Sequence, residues 1–152
     1  MKPDRIADAQ ERRIIGANGS YTHENRSGIP AQWAEWDYGA VTGVVGGVYG
    51  VSHSFGGPTS FQYLCGLEVS ADAPVPDGQT DVTLPAGKHA VFVINGHVSK
   101  IAEVFEAVFS HGALGEEWGI ANGPQFEHYT EEFDPASATG KVEIWFPVAR
   151  KA

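Results

Sequence analysis

One order of local patterns runs twice along this chain and leaves few folds open to it. From Arg12 the sequence reads as strand, helix, strand, strand, and beyond a connector it reads so again. In the first unit, Arg12 to Asn25 reads as extended: Ile14 and Ile15, the small-polar run Ala17-Asn18-Gly19-Ser20, then Tyr21-Thr22-His23. Ser27-Gly28-Ile29-Pro30 opens a helix with Pro in its first turn, and Ile29, Trp33 and Trp36 follow at helical spacing. Glycines 43, 46, 47 and 50 lead into a strand from about Gly47 to Ser54. A Gly56-Gly57-Pro58 turn joins it to a second strand, Phe61 to Ser70. There Phe61, Tyr63, Cys65, Leu67 and Val69 alternate with Gln62, Leu64, Gly66 and Glu68, so Glu68 points away from the apolar row.

Residues 71–79, with Pro74, Pro76 and Asp77-Gly78, form the connector. Asp81 to Leu84, Pro85-Ala86-Gly87 and His89 to Ile94 then make an extended segment. After Ser99, an N-cap residue, Ile101, Val104, Phe105, Val108 and Phe109 fall at i, i+3, i+4, i+7 and i+8, and Gly112 stops the helix. Phe126 to Phe133 and Lys141 to Val148 are the last two strands. Residues 1–10 are polar and unpatterned and read as a flexible leader before one domain, 11–152, with modules at about 11–71 and 80–150. The expected fold is α+β: two pseudo-symmetric strand-helix-strand-strand modules share an antiparallel sheet, with helices on one face and a ligand cleft on the other.

Charge narrows the partners. Ten Lys and Arg against 19 Asp and Glu give a net charge of -9. A phosphate backbone or anionic membrane surface is repelled, so neither nucleic acid nor membrane is an expected direct partner. No run approaches the ~20 apolar residues of a membrane span. The first residues lack the apolar core of a secretory signal, which favours the cytoplasm. Cys65 is the sole cysteine and reads as inert packing. The six histidines show no His-x-His pair and no i, i+4 pair on one helix, so no metal and no cofactor is expected. Gly50-Val51-Ser52-His53-Ser54 approaches a nucleophile elbow but ends in Ser54 rather than Gly and leads into a hairpin, which argues against a serine hydrolase.

The closing strands carry the candidate site. Val142, Ile144, Phe146 and Val148 form an apolar row that belongs under the helices, and Glu143, Trp145 and Pro147 face the open side. In the preceding strand Phe126 and His128 oppose Glu127, Tyr129 and Glu131. Set as antiparallel neighbours, the two strands are expected to bring Glu127, Tyr129, Glu143 and Trp145 onto one concave surface. A carboxylate among aromatic walls attracts an organic cation by charge and holds its flat body by stacking and cation–π contact. Glu131 and Glu132 read as solvated. Glu68 is a further candidate, and Trp33, Trp36, Tyr49, Phe92 and Trp118 are candidate walls, although large aromatics also serve as plain core.

Three stretches resemble the GyrI-like small-molecule-binding family, the effector-binding domain of AraC-type and MerR-type regulators. They are Tyr49-Gly50-Val51 leading to Phe61-Gln62-Tyr63-Leu64-Cys65-Gly66-Leu67-Glu68-Val69; Leu84-Pro85-Ala86-Gly87-Lys88-His89-Ala90-Val91-Phe92; and Gly123-Pro124-Gln125-Phe126-Glu127-His128-Tyr129 with Val142-Glu143-Ile144-Trp145-Phe146-Pro147-Val148. The resemblance implies a pseudo-twofold domain with a central cleft for bulky, aromatic, often cationic compounds and an acidic residue near its floor. Glu127 and Glu143 match the acidic positions of the family's closing strands. Little chain remains for a helix-turn-helix, so a stand-alone drug or toxin binder is the expected member. One alternative is a cyclopropanoid hydrolase, in which Glu127, assisted by Glu143 or Glu68, activates water to open the ring of a DNA-alkylating compound. Another is a protein that modulates DNA gyrase.

Overall fold

The computed structural model describes residues 1–56 and 59–151. Among the described residues are nine strands and two α-helices: β1 (Arg5–Ala9), β2 (Arg12–Thr22), α1 (Ile29–Glu35), β3 (Val44–His53), β4 (Ser60–Val69), β5 (Thr80–Leu84), β6 (Gly87–His97), α2 (Lys100–Ser110), β7 (Trp118–Ile120), β8 (Gln125–Tyr129) and β9 (Thr139–Arg150). Eight strands form one antiparallel sheet in the order β1-β6-β9-β8-β3-β4-β2-β5, and β7 pairs with β9. The repeated order is therefore present as β2-α1-β3-β4 and β6-α2-β8-β9, joined where β3 pairs with β8. Of the expected Gly56-Gly57-Pro58 turn, Gly57 and Pro58 lie outside the described residues.

Two parts of the chain differ from expectation. Residues 5–9 are not a loose leader but strand β1, laid along β6 with Ala7 opposite His89. Asp4 extends the attachment, since its carboxylate accepts the Val93 N–H at 2.7 Å. The polar composition hid this strand because an edge strand takes its stability from backbone pairing more than from its side chains. The segment expected from Asp81 to Ile94 is two strands, β5 and β6, which pair with different partners: β5 with β2, and β6 with β9 and β1. Each module thus lends its leading short strand to the edge of the other.

Both helices pack on one face. α2 buries Val104, Ala107 and Val108 against Phe92, Val142, Ile144 and Phe146, the row that alternation assigns to the helix side. It ends as its sequence requires: Gly112 takes φ 63° and the Ala113 N–H returns to the Ala107 carbonyl at 3.0 Å. α1 covers the first module, where Trp36, Tyr63, Cys65 and Val69 form a second cluster. A third cluster fills the helix-free face. It joins Leu84 of β5 and Ala7 and Ala9 of β1 to Tyr49, Leu64, Phe126 and Trp145 of the inner strands, so the sheet curls until both its edges meet one core. Burial on both faces explains why β4 and β8 carry apolar or buried residues at successive positions.

Candidate functional site

The register of β8 on β9 decides which candidates share a surface. Phe126 lies opposite Trp145, Glu127 opposite Ile144, His128 opposite Glu143 and Tyr129 opposite Val142. Glu127 and Tyr129 therefore stand with Ile144 and Val142 on the helix side, while Glu143 and Trp145 stand with Phe126 and His128 on the helix-free side. The expected single surface of Glu127, Tyr129, Glu143 and Trp145 is corrected to two, one on each face of the sheet. Alternation assigns the two faces within each strand but not the pairing across strands, because both faces of β8 are buried and its pattern does not tell them apart.

Glu127 sits at the centre of the molecule, opposite Gly50 on β3, in the strip of sheet between the two helices. It is 5% exposed. Its Oε1 accepts hydrogen bonds from the hydroxyls of Tyr63 and Tyr129, each at 3.0 Å. Trp33 of α1 closes the group: its indole N–H donates to the Tyr63 hydroxyl at 3.2 Å and its ring meets Tyr129 edge-on at 5.4 Å. Gly50 makes the arrangement possible, since a Cβ there would overlap the Tyr63 hydroxyl and come within 2.8 Å of Glu127 Oε1. Burial raises the Glu127 carboxyl to a pKa of about 7, against the opposing pull of the two tyrosine hydrogen bonds. Burial and the neighbouring glutamate push both tyrosines well above their ordinary range, so they remain donors. Among the described residues no Lys, Arg or His forms an ion pair with Glu127.

The helix-free face is different. The Arg12 guanidinium lies 5.5 Å from the ring of Tyr49, 5.0 Å from Phe126 and 5.1 Å from Trp145, and donates to the Tyr49 hydroxyl at 2.9 Å. The Tyr49 hydroxyl in turn donates to Glu68 at 3.2 Å. Glu143 accepts from Arg5 at 3.1 Å, from His128 at 3.2 Å and from the Trp145 indole at 3.3 Å. Burial pushes the Glu143 carboxyl up, but the hydrogen bonds from His128 and Arg5 outweigh it and hold the group below the usual carboxylate range. Here an aromatic hollow with carboxylates already contains a cation of the protein's own. Glu68, Tyr49, Glu143 and Trp145 belong to this network and not to the surroundings of Glu127.

The other expected walls separate as well. Phe92 lies under α2, two strands from Glu127, edge-on to Phe146. Trp118 packs in the same cluster, with Arg150 over its ring at 4.7 Å. Trp36 is buried and donates to Gln79 at 3.1 Å. Of the expected aromatics, Tyr129 thus bonds to Glu127, and Trp33 meets that group through Tyr63 and Tyr129. Tyr63 is not among the expected site residues, because in the apolar row of β4 it reads as packing. Its signal was a hydroxyl in an otherwise apolar row, two strands from Glu127 across a glycine that leaves it room.

The family model of the GyrI-like small molecule binding domain matches residues 3–149. The chain belongs to that family. The transcriptional regulator BrlR of Pseudomonas aeruginosa is 37% identical over 91 residues, covering 58% of this chain and 33% of that protein, so the chain spans about a third of that relative's length. Among solved structures, that of SAV2435 bound to tetraphenylphosphonium superposes with a TM-score of 0.69 at 19% identity, covering 98% of this chain and 94% of the other. An integron cassette protein of Vibrio cholerae gives a TM-score of 0.71 at 16% identity over 95% of each chain. At these identities the structural likeness concerns the fold. No helix among the described residues is long and apolar enough to cross a membrane.

Proposed function

We propose that this GyrI-like domain binds bulky aromatic cations at Glu127, between α1 and α2, with Tyr63, Tyr129 and Trp33 as walls. One observation carries the reading: Glu127 is a buried carboxylate that pairs with no cation among the described residues, whereas the glutamates of the helix-free face lie beside Arg5 and Arg12. A carboxylate in that position is costly when ionised and unaccompanied. A ligand that brings positive charge and flat apolar surface removes that cost and gains cation–π contact with the rings. Access requires α1 to move, since Trp33 lies across the site. α1 is seven residues long and has no side-chain cap, and it rests on the sheet through the partly buried Ile29 and Trp33.

Titration of tetraphenylphosphonium, followed by Trp fluorescence, tests the proposal. Affinity should be level above about pH 7 and fall by up to tenfold per pH unit below it, as the cation must expel the Glu127 proton. Glu127→Gln should weaken the cation by roughly ten- to a hundredfold and leave a neutral polycycle of similar size within about twofold. Equal cation affinity in wild type and variant sinks the reading.

The pKa near 7 also suits a general base, which favours hydrolysis of a strained ring as a second reading. Incubation with a cyclopropane-bearing, DNA-alkylating aromatic compound should then yield the ring-opened hydrate by mass, with no product from Glu127→Gln.

A further inference from the structure

A polar relay at the end of β3 takes no part in the site above. Ser54 follows the last residue of β3 and adopts φ 49°, a left-handed conformation uncommon for a residue other than glycine. Its hydroxyl lies 2.9 Å from His53 Nδ1. His53 Nε2 lies 2.8 Å from Asn18 Oδ1, and the Asn18 amide donates to Gln62 Oε1 at 2.7 Å. With the Asn18 amide donating to Gln62, one tautomer of His53 completes the relay. Because the Asn18 NH2 is committed to Gln62, its carbonyl faces His53 and takes the Nε2 proton; Nδ1 is left as an acceptor, and Ser54 donates to it. Partial burial pushes the His53 imidazole below its ordinary pKa, which keeps it neutral at pH 7. Ser54 also borders a surface depression of about 300 Å³. Tyr21 and Phe61, 6.1 Å apart, line it together with Ser20, Thr22 and Ser60.

We infer that Ser54 is a nucleophile for small aryl esters, with His53 as its general base and Asn18 as the residue that positions His53. The elbow centred on Ser52 remains excluded, since Ser52 is a buried position within β3; the nucleophile is the next serine along. Ser54 lies four residues beyond Gly50, the partner of Glu127, or about 13 Å along an extended strand. The inference therefore does not rest on the cation site. In the reaction, Ser54 Oγ forms a bond to the ester carbonyl carbon as its proton passes to His53 Nδ1. The carbonyl pair shifts to oxygen and returns as the bond to the aryloxy group breaks, and the departing phenolate takes the proton from His53. Water then attacks the acyl-Ser54 with His53 again accepting the proton, releasing the carboxylic acid and restoring the hydroxyl. The aryl ring enters the depression that Ser54 borders.

The full chain is incubated with an aryl fluorophosphonate and, separately, with 4-nitrophenyl acetate. Adducts are located by peptide mass mapping, and 4-nitrophenol release is followed by absorbance. The expected result is a single phosphonyl adduct on Ser54, absent from Ser54→Ala and from Ser54→Gly. The glycine variant accepts the positive φ, so folding is not in question. His53→Gln should slow both reactions by about a hundredfold or more. Asn18→Leu should lower kcat about tenfold at unchanged KM, with Asn18→Asp, which keeps an acceptor on Nε2, restoring most of it. An adduct elsewhere, no adduct, or the same rate in wild type and His53→Gln overturns the inference.

Discussion

Glu127 shows how one buried acid ties stability to pH. Its carboxyl is raised from 4.5 to about 7, so between those values the folded chain holds a proton that the unfolded chain has lost, and stability falls as pH rises through that window. The full effect is about 3 kcal/mol. Glu127→Gln, neutral at every pH, should remove it. Urea unfolding at pH 5 and pH 8 should show the variant gaining about that much on wild type at the higher pH, and a constant difference would contradict the raised pKa. Gly50 is the second critical residue. Gly50→Ala places a Cβ against the Tyr63 hydroxyl and Glu127 Oε1, and should destabilise the chain by about 1–3 kcal/mol while weakening the cation, both measurable in one thermal-shift series. Alternation on β8 marked Glu127 as a candidate, but Tyr63 was hidden, because a tyrosine in an apolar row is equally a core residue and its partner lies two strands away.

At the scale of elements, α1 is the movable part. The Gln32 amide donates to the carbonyls of Ala17 and Tyr63, each at 2.9 Å, and its Oε1 accepts from the Tyr21 hydroxyl at 2.5 Å. With no residue of α1 buried, this one side chain does much to hold the helix on the sheet. Gln32→Ala should favour the open arrangement and so tighten tetraphenylphosphonium by roughly three- to tenfold, read by the same fluorescence titration; weaker binding would show that α1 must stay seated for the cation to bind. β1 illustrates the opposite case, a short polar segment held by pairing with β6 and by Arg5 on Glu143. Pattern located both helices, since each carries an apolar stripe or a Pro start. It passed over β1, because backbone hydrogen bonds to a distant strand leave no trace in local composition.

For the whole molecule, the exchange of edge strands is the decisive feature. β1 completes the second module and β5 the first, and the modules meet through β3 and β8. Neither half contains its own full sheet. Residues 1–76 and 77–152, expressed apart, should each be largely unfolded by circular dichroism and regain the signal of the intact chain when mixed; a fragment folded alone would show that the modules are independent. The duplicated order, the helix-side row of β9 and the presence of carboxylates beside aromatic rings are legible in the chain's local pattern, because periodicity is a local property. Tertiary pairing places Glu127 and Glu143 on opposite faces and Arg12 in the aromatic hollow on one side, and leaves Glu127 on the other without such a cation among the described residues. Those facts depend on register and curl, and a shift of one residue in pairing moves every side chain across the sheet.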